Sequence, residues 1–202
     1  MKIESLEQIR SILGSPKAVA EHKIYDQLNP RMVKFIQHSP LLFVSTVDEA
    51  GFPTISPKGD HPGFVAIENT HSLLIPERKG NKLAFSFSNI LNGSKVGLMF
   101  VVPGTNEVLR VQGSAELLHD DDINQQLASA TQKALLATRF TVNTSYFHCA
   151  KAFLRSKLFA DGANHVNLKV SFGEELANNG AFEKEAIEEY DHGVNRRYRS
   201  DL

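Results

Sequence analysis

The stretch Leu41-Leu42-Phe43-Val44-Ser45-Thr46-Val47-Asp48-Glu49-Ala50-Gly51-Phe52-Pro53-Thr54-Ile55-Ser56 decides the fold. Its first seven residues are mostly branched or aromatic, types that suit a pleated, half-buried strand. Asp48 to Gly51 carries turn chemistry and the apolar pattern resumes at Phe52, so the whole reads as a β-hairpin. Upstream the period differs. Asn29 followed by Pro30 predicts an N-cap with proline at the first helical position, launching Met32, Val33, Phe35 and Ile36 as one apolar face until Ser39-Pro40 stops it. Ser5 and Gln8 fit a capping box ahead of Leu6, Ile9, Ile12 and Leu13, which predicts a short amphipathic opening helix, and a second short helix is expected after Pro16.

Downstream of the hairpin, strands are expected over Phe64 to Ile67, Ser72 to Ile75, Val96 to Val102, Glu107 to Leu118 and Leu135 to Val142. Helices are expected over Lys82 to Leu91, over Asp120 to Ala130, and from a cap at Asn143 or Thr144 through Tyr146, Phe147, Ala150 and Leu154. Six or seven strands in close succession, without a helix between each pair, predict a mainly β protein, an antiparallel barrel with flanking helices. The division expected is a domain over 1–160 and a C-terminal extension over 161–202, anchored by Phe172, Leu176, Phe182, Ile187 and Tyr190 and packing on the domain or a partner.

Composition narrows the function. With 202 residues and 42% apolar types the chain suits one core, and 22 basic against 23 acidic residues create no global field for nucleic acid or an anionic membrane. No run approaches the roughly 18 apolar residues of a membrane helix, so a soluble protein is expected. One cysteine, Cys149, rules out an internal disulfide and points to a reducing cytoplasm. The eight histidines lack metal-ligand spacing, so no metal site is expected; His61 beside Asp60 is the one to watch.

Three clusters combine cations with turn residues or a helix. Ser56-Pro57-Lys58-Gly59-Asp60 follows a strand, and a sharp loop there would leave a hydroxyl and an ammonium at the barrel rim to hold a phosphate; taken alone, it equally describes a polar turn. Pro76-Glu77-Arg78-Lys79-Gly80-Asn81-Lys82 sets cations before an expected helix start, where backbone N–H groups add to their pull on an anion; a solvated basic loop has the same composition. His148, Lys151 and Arg155 would share one stripe if their segment is helical, beside Phe147, Leu154 and Leu158; a solvent-facing helix surface would show the same pattern. Cys149 cannot couple to its neighbour His148 on a helix and is expected to be buried and inert. Arg110, inside an apolar strand, would need a partner if it points inward. There is no G-x-G-x-x-G or Walker sequence, so a nucleotide would depend on side-chain cations.

In order along the chain, Ser56-Pro57-Lys58-Gly59-Asp60, Ile75-Pro76-Glu77-Arg78 with Gly80-Asn81, Asn89-Ile90-Leu91, Leu109-Arg110-Val111 with Gly113, and His148-Cys149 with Lys151-Ala152 and Arg155-Ser156 form a series. It resembles the serial motifs of an FMN-dependent group in the pyridoxamine 5′-phosphate oxidase-like superfamily, over about Pro30 to Phe159. The resemblance implies a split β-barrel homodimer with FMN in clefts between the subunits, and an FMN-dependent oxidoreductase acting on an unknown small molecule. The rival reading is a flavin-binding module that stores or senses FMN without turnover, and a weaker one places haem or a deazaflavin in the cleft. By the same resemblance Ser56, Lys58, Gly59, Asp60, Arg78, Lys79, Gly80, Asn81 and Lys82 are candidate cofactor contacts, with Lys151 and Arg155 approaching from the partner and Glu77 and Asp60 orienting cations. Two departures bear on ring stacking and substrate access: the segment Lys82-Leu83-Ala84-Phe85-Ser86-Phe87-Ser88, where the resemblance implies a more polar stretch, and Phe159 where relatives often carry tryptophan. The pyridoxal-binding pattern of true pyridoxamine phosphate oxidases is not recognisable.

Overall fold

The Asn29 side chain accepts from the N–H groups of Arg31 and Met32, at 3.0 and 3.1 Å, and so starts helix α2 (Pro30–Gln37) where the sequence places it. The structure, a computed structural model, describes residues 2–80, 82–160, 168, 170–181 and 183–200. Helix α1 (Leu6–Leu13) opens the chain, with Ser5 accepting from Gln8 N–H and the Gln8 side chain accepting from Glu4 N–H. After Pro16 the turn is a 3-10 helix over Ala18–Lys23. None of α1 is buried.

Seven strands follow: β1 (Leu41–Val47), β2 (Pro53–Gly59), β3 (Ala66–Asn69), β4 (Ser72–Glu77), β5 (Val96–Val101), β6 (Glu107–Leu118) and β7 (Leu136–Cys149). They form one antiparallel sheet in the order β2-β1-β5-β6-β7-β4-β3, the mainly β architecture expected. Residues 42, 44 and 46 of β1 are buried, the period-2 signature of a strand with one face on a core. That core is Leu42, Val44, Leu73, Ile75, Leu98, Phe100, Leu109, Val111, Phe140 and Val142, sealed by Leu28, by Met32 and Ile36 of α2, and by Ile90 of helix α3 (Phe85–Leu91).

The boundaries differ from the sequence reading at informative places. β2 runs on to Gly59, so Ser56-Pro57-Lys58-Gly59 is strand and not a loop; Pro57 is tolerated because β2 is an edge strand with no second ladder to donate to. No helix starts at Asn143 or Thr144, because β7 continues to Cys149, paired with β6 along nearly its whole length. Helix α5 begins only at Lys151 and ends at Ser156. His148 is therefore on a strand, and the three-residue helical stripe reduces to Lys151 and Arg155. Cys149 is exposed rather than buried, and Arg110 faces out, where it needs no interior partner. The helix expected from Lys82 starts at Phe85, and the one expected over Asp120 to Ala130 is the shorter α4 (Asp121–Gln126), capped by Asp120.

The C-terminal extension forms α6 (Phe172–Asn178) and α7 (Ile187–Ser200). Asp191 of α7 accepts from Ser171 Oγ and from Gly173 N–H, so one helix caps the other. Phe182 lies outside the described residues. Among the described residues, no helix is long and apolar enough to cross a membrane.

Two features of the sheet make testable statements. At the Gln112/Gly113 bulge, a Cβ on Gly113 would stand 1.8 Å from the Thr141 carbonyl oxygen. Gly113→Ala should therefore cost about 3 kcal/mol, read from urea unfolding. On the outer face, Arg139 grips both oxygens of Glu68 at 3.0 and 3.1 Å and reaches Glu116 at 3.2 Å, tying β3 to β7 and β6. The Arg139 guanidinium, with help from Ser72, holds the Glu68 carboxyl below its ordinary range. A depressed carboxyl contributes stability above its unfolded pKa and loses it as pH falls through the folded one. Glu68→Gln should cost under about 1 kcal/mol at pH 7, and the gap to wild type should close on acidification below the ordinary carboxylate range.

Candidate functional site

The ends of β2 and β4 are not ladder neighbours, so the main chain leaves a split between them. Side chains close it. Lys58 on β2 donates to Glu77 Oε2 on β4, and Glu77 Oε1 accepts from Thr138 Oγ1 of β7 at 2.7 Å. The Lys58 ammonium also lies 5.4 Å from the centre of the Phe87 ring. Just beyond, Arg78 donates through Nε and Nη2 to Asp60 Oδ2 at 3.1 and 2.8 Å, and through Nη1 to the Gln132 carbonyl at 3.5 Å. The two pairs are crossed: the cation is on β2 and the anion on β4, and one residue past each strand the order is reversed.

Helix α3 lies against the inner side of the hairpin. Asn89, buried, donates to Thr46 Oγ1 at 2.9 Å and Thr54 Oγ1 at 3.4 Å, and the Ser86 and Ser56 hydroxyls are 2.9 Å apart. The inward residues of β2, Thr54, Ser56 and Lys58, are thus each engaged by a polar partner. The polar pattern of that strand exists to receive a helix and a carboxylate.

Above this floor opens a cleft of about 1120 Å³. It gathers Ser56, Lys58, Gly59, Asp60, Arg78, Lys79, Gly80 and Lys82, the candidates of the first two clusters. Asn81 lies outside the described residues. Gly59 earns its place sterically, since a Cβ there would sit 3.2 Å from the Pro40 carbonyl oxygen. Lys82 and Ala84 both adopt left-handed backbone, at φ 63° and 58°, which costs non-glycine residues of order 1 kcal/mol each and marks this rim as a constrained segment. Lys151 and Arg155, on α5, do not line the cleft.

Sequence reasoning singled out His61 and the stretch that holds Ser86 and Phe87 but gave the 129–135 segment no role in the site. Ser129, Thr131, Gln132 and Leu135 form one wall, brought there by Arg78 and by the Leu135 N–H bond to the Glu77 carbonyl at 2.9 Å. Nothing in their local sequence marks them; only the return of the chain to β4 does. The cleft also carries apolar side chains open to solvent: Ile55, Leu83, Phe85 and Leu135 are 67%, 59%, 62% and 51% exposed. Its chemistry is a paired-ion floor, a lysine-bearing rim and an apolar wall, which suits a flat apolar ring system joined to an anionic group.

The pyridoxamine 5′-phosphate oxidase family model matches residues 28–149, the span that builds the barrel and the cleft. The chain belongs to that family. Among solved structures, HupZ of Group A Streptococcus is 20% identical, with 61% of this chain and 95% of that one covered and a TM-score of 0.50. A candidate pyridoxamine 5′-phosphate oxidase from Lactobacillus delbrueckii is 23% identical, covering 60% and 95%, with a TM-score of 0.48. A Clostridium acetobutylicum protein related to general stress protein 26 of B. subtilis is 16% identical, covering 61% and 92%, with a TM-score of 0.45. The HupZ likeness supports the family's split-barrel architecture. No curated protein sequence matches the chain.

The paired-ion floor can be tested apart from any ligand. Side chains of Lys58 and Glu77 are 17% and 6% exposed, so removing one partner strands a buried charge. Lys58→Met should cost about 2 to 4 kcal/mol, after allowance for the partial exposure of the lysine, and adding Glu77→Leu should restore most of the loss. Additive losses in urea unfolding would show that the pair is not coupled.

Proposed function

We propose that the cleft binds FMN and that the protein is an FMN-dependent oxidoreductase acting on a small molecule. One observation carries this reading: in a chain of this family, the cleft places cations and a serine hydroxyl beside an exposed apolar wall. The fit to a flavin mononucleotide is chemical and steric. About 1120 Å³ exceeds the roughly 300 to 1,000 Å³ of common small-molecule sites, leaving room for a cofactor and for a partner chain at the opening. Ser56, Arg78, Lys79 and Lys82 would take the phosphate and ribityl chain, Lys58 would present its charge at the floor, and Leu83 and Phe85 would face the ring.

In a homodimer, the second copy would bring Lys151 and Arg155 to the cleft and cover the apolar wall. The segment 161–202 would then pack on the domain or on its partner. FMN, once bound, supplies hydride or electron transfer. The chain's own groups hold the phosphate, exclude water with the apolar wall and fix positive charge near the ring.

A second reading, a flavin-binding module without turnover, is favoured by one feature: Asp60 and Glu77, the cleft carboxylates among the described residues, are both committed to cations.

The experiment is direct. Purified protein should carry FMN, or gain melting temperature when FMN is added; a colourless protein indifferent to FMN would refute both readings. Anaerobic NADH or NADPH should bleach the absorbance of the bound cofactor if the protein is an enzyme, and persistent yellow colour would assign it to the second reading. Arg78→Ala should weaken FMN binding by about 1.5 to 3 kcal/mol, measured by fluorescence quenching.

A further inference from the structure

Arg78 is held more firmly than a phosphate ligand on a loop would need to be. Asp60 Oδ1 accepts from the His61 N–H at 2.7 Å, which fixes the carboxylate against its own backbone. The other oxygen, Oδ2, takes both Nε and Nη2 of Arg78, while Nη1 reaches the Gln132 carbonyl. Three segments therefore meet at one guanidinium: the end of β2, the end of β4 and the loop before β7. Of the five N–H donors an arginine carries, three are spent on these bonds. The remaining two, on Nη1 and Nη2, are what the group can offer to a ligand, and two donors on a planar group match the geometry of a phosphate.

We propose that Asp60 is a positioning residue: it holds the Arg78 guanidinium in the one orientation that presents two donors to the cleft, and so sets the preference of the site for phosphorylated over unphosphorylated flavin. This rests on the flavin reading above. Of the two roles the resemblance implies for Asp60, cofactor contact and orienter of cations, it takes the second, with Arg78 as the cation. An arginine freed from its carboxylate spreads over many rotamers and pays to be ordered when the ligand arrives. The opposite expectation is equally definite. If Asp60 acted only as a nearby negative charge, its removal would tighten the binding of any anion.

The sign of the change separates the two. Dissociation constants for FMN and for riboflavin, which lacks the phosphate, would be measured by fluorescence quenching on wild type, Asp60→Asn, Asp60→Ser, Arg78→Ala and the Asp60→Asn/Arg78→Ala double variant. Asp60→Ser keeps a short acceptor for the His61 N–H but cannot reach Arg78, and so guards against loss of the local turn. Melting temperatures would confirm that each variant folds.

The expected result is a fall of about tenfold in the FMN-over-riboflavin preference in both Asp60 variants, through weaker FMN binding with riboflavin unchanged. In the Arg78→Ala background, the Asp60 substitution should cause no further loss. An unchanged or increased preference, or an equal loss with Arg78 already absent, overturns the positioning role while leaving the flavin reading intact. Wild-type protein with no preference for FMN over riboflavin overturns the positioning role, and wild-type protein that binds neither overturns the flavin reading with it.

Discussion

The crossed ion pairs at the split of the barrel are the constraint on which the site depends. Backbone ladders hold every other strand junction, but β2 and β4 meet without one, and Lys58–Glu77 and Arg78–Asp60 stand in for it. A buried pair of this kind gains little net stability over an apolar contact, because each charge gives up its water. What it provides is a polar junction at the floor of a cleft. An apolar seam would have closed the barrel and left nothing there to meet an anion. Thr138 donates to the second oxygen of Glu77 and the Phe87 ring lies beside the ammonium, which helps keep the buried pair in place.

The same logic explains helix α3. A strand whose inward side chains are Thr54, Ser56 and Lys58 cannot sit over a hydrocarbon core, and here it does not. Ser86 and Asn89 of α3 meet the two hydroxyls, while Ile90, one turn on from Ser86, enters the core. The helix is thus fastened on its buried face by polar bonds and apolar burial together. Its start, with Ala84 in left-handed backbone, delivers Lys82 and Leu83 to the rim. Fold and site are coupled through a few short hydrogen bonds.

The family match covers the barrel and the cleft but neither α1 nor the α6–α7 pair. These flanking parts are built with care: Ser5 caps α1, and Asp191 caps α6 from a neighbouring helix. Their caps are local or between the two helices of the extension, so these elements could vary without disturbing the ion pairs of the cleft.

Local chemistry alone determined a good part of the protein. The Asn29-Pro30 helix start, the β1–β2 hairpin and the limits of β6 are readable because caps, turns and period-2 burial act over a few residues. The cationic clusters at 56–60 and 78–82 were legible as candidates for the same reason. The tertiary structure alone decided that β7 stays extended through Cys149, since pairing with β6 outweighs the helical spacing of Phe147, Ala150 and Leu154. It alone turned Arg110 outward, brought Gln132 to Arg78 across 54 positions of sequence, and matched Lys58 with Glu77 across the split. Those outcomes depend on which distant segments come to lie side by side, and a charge in a linear sequence does not carry the address of its partner.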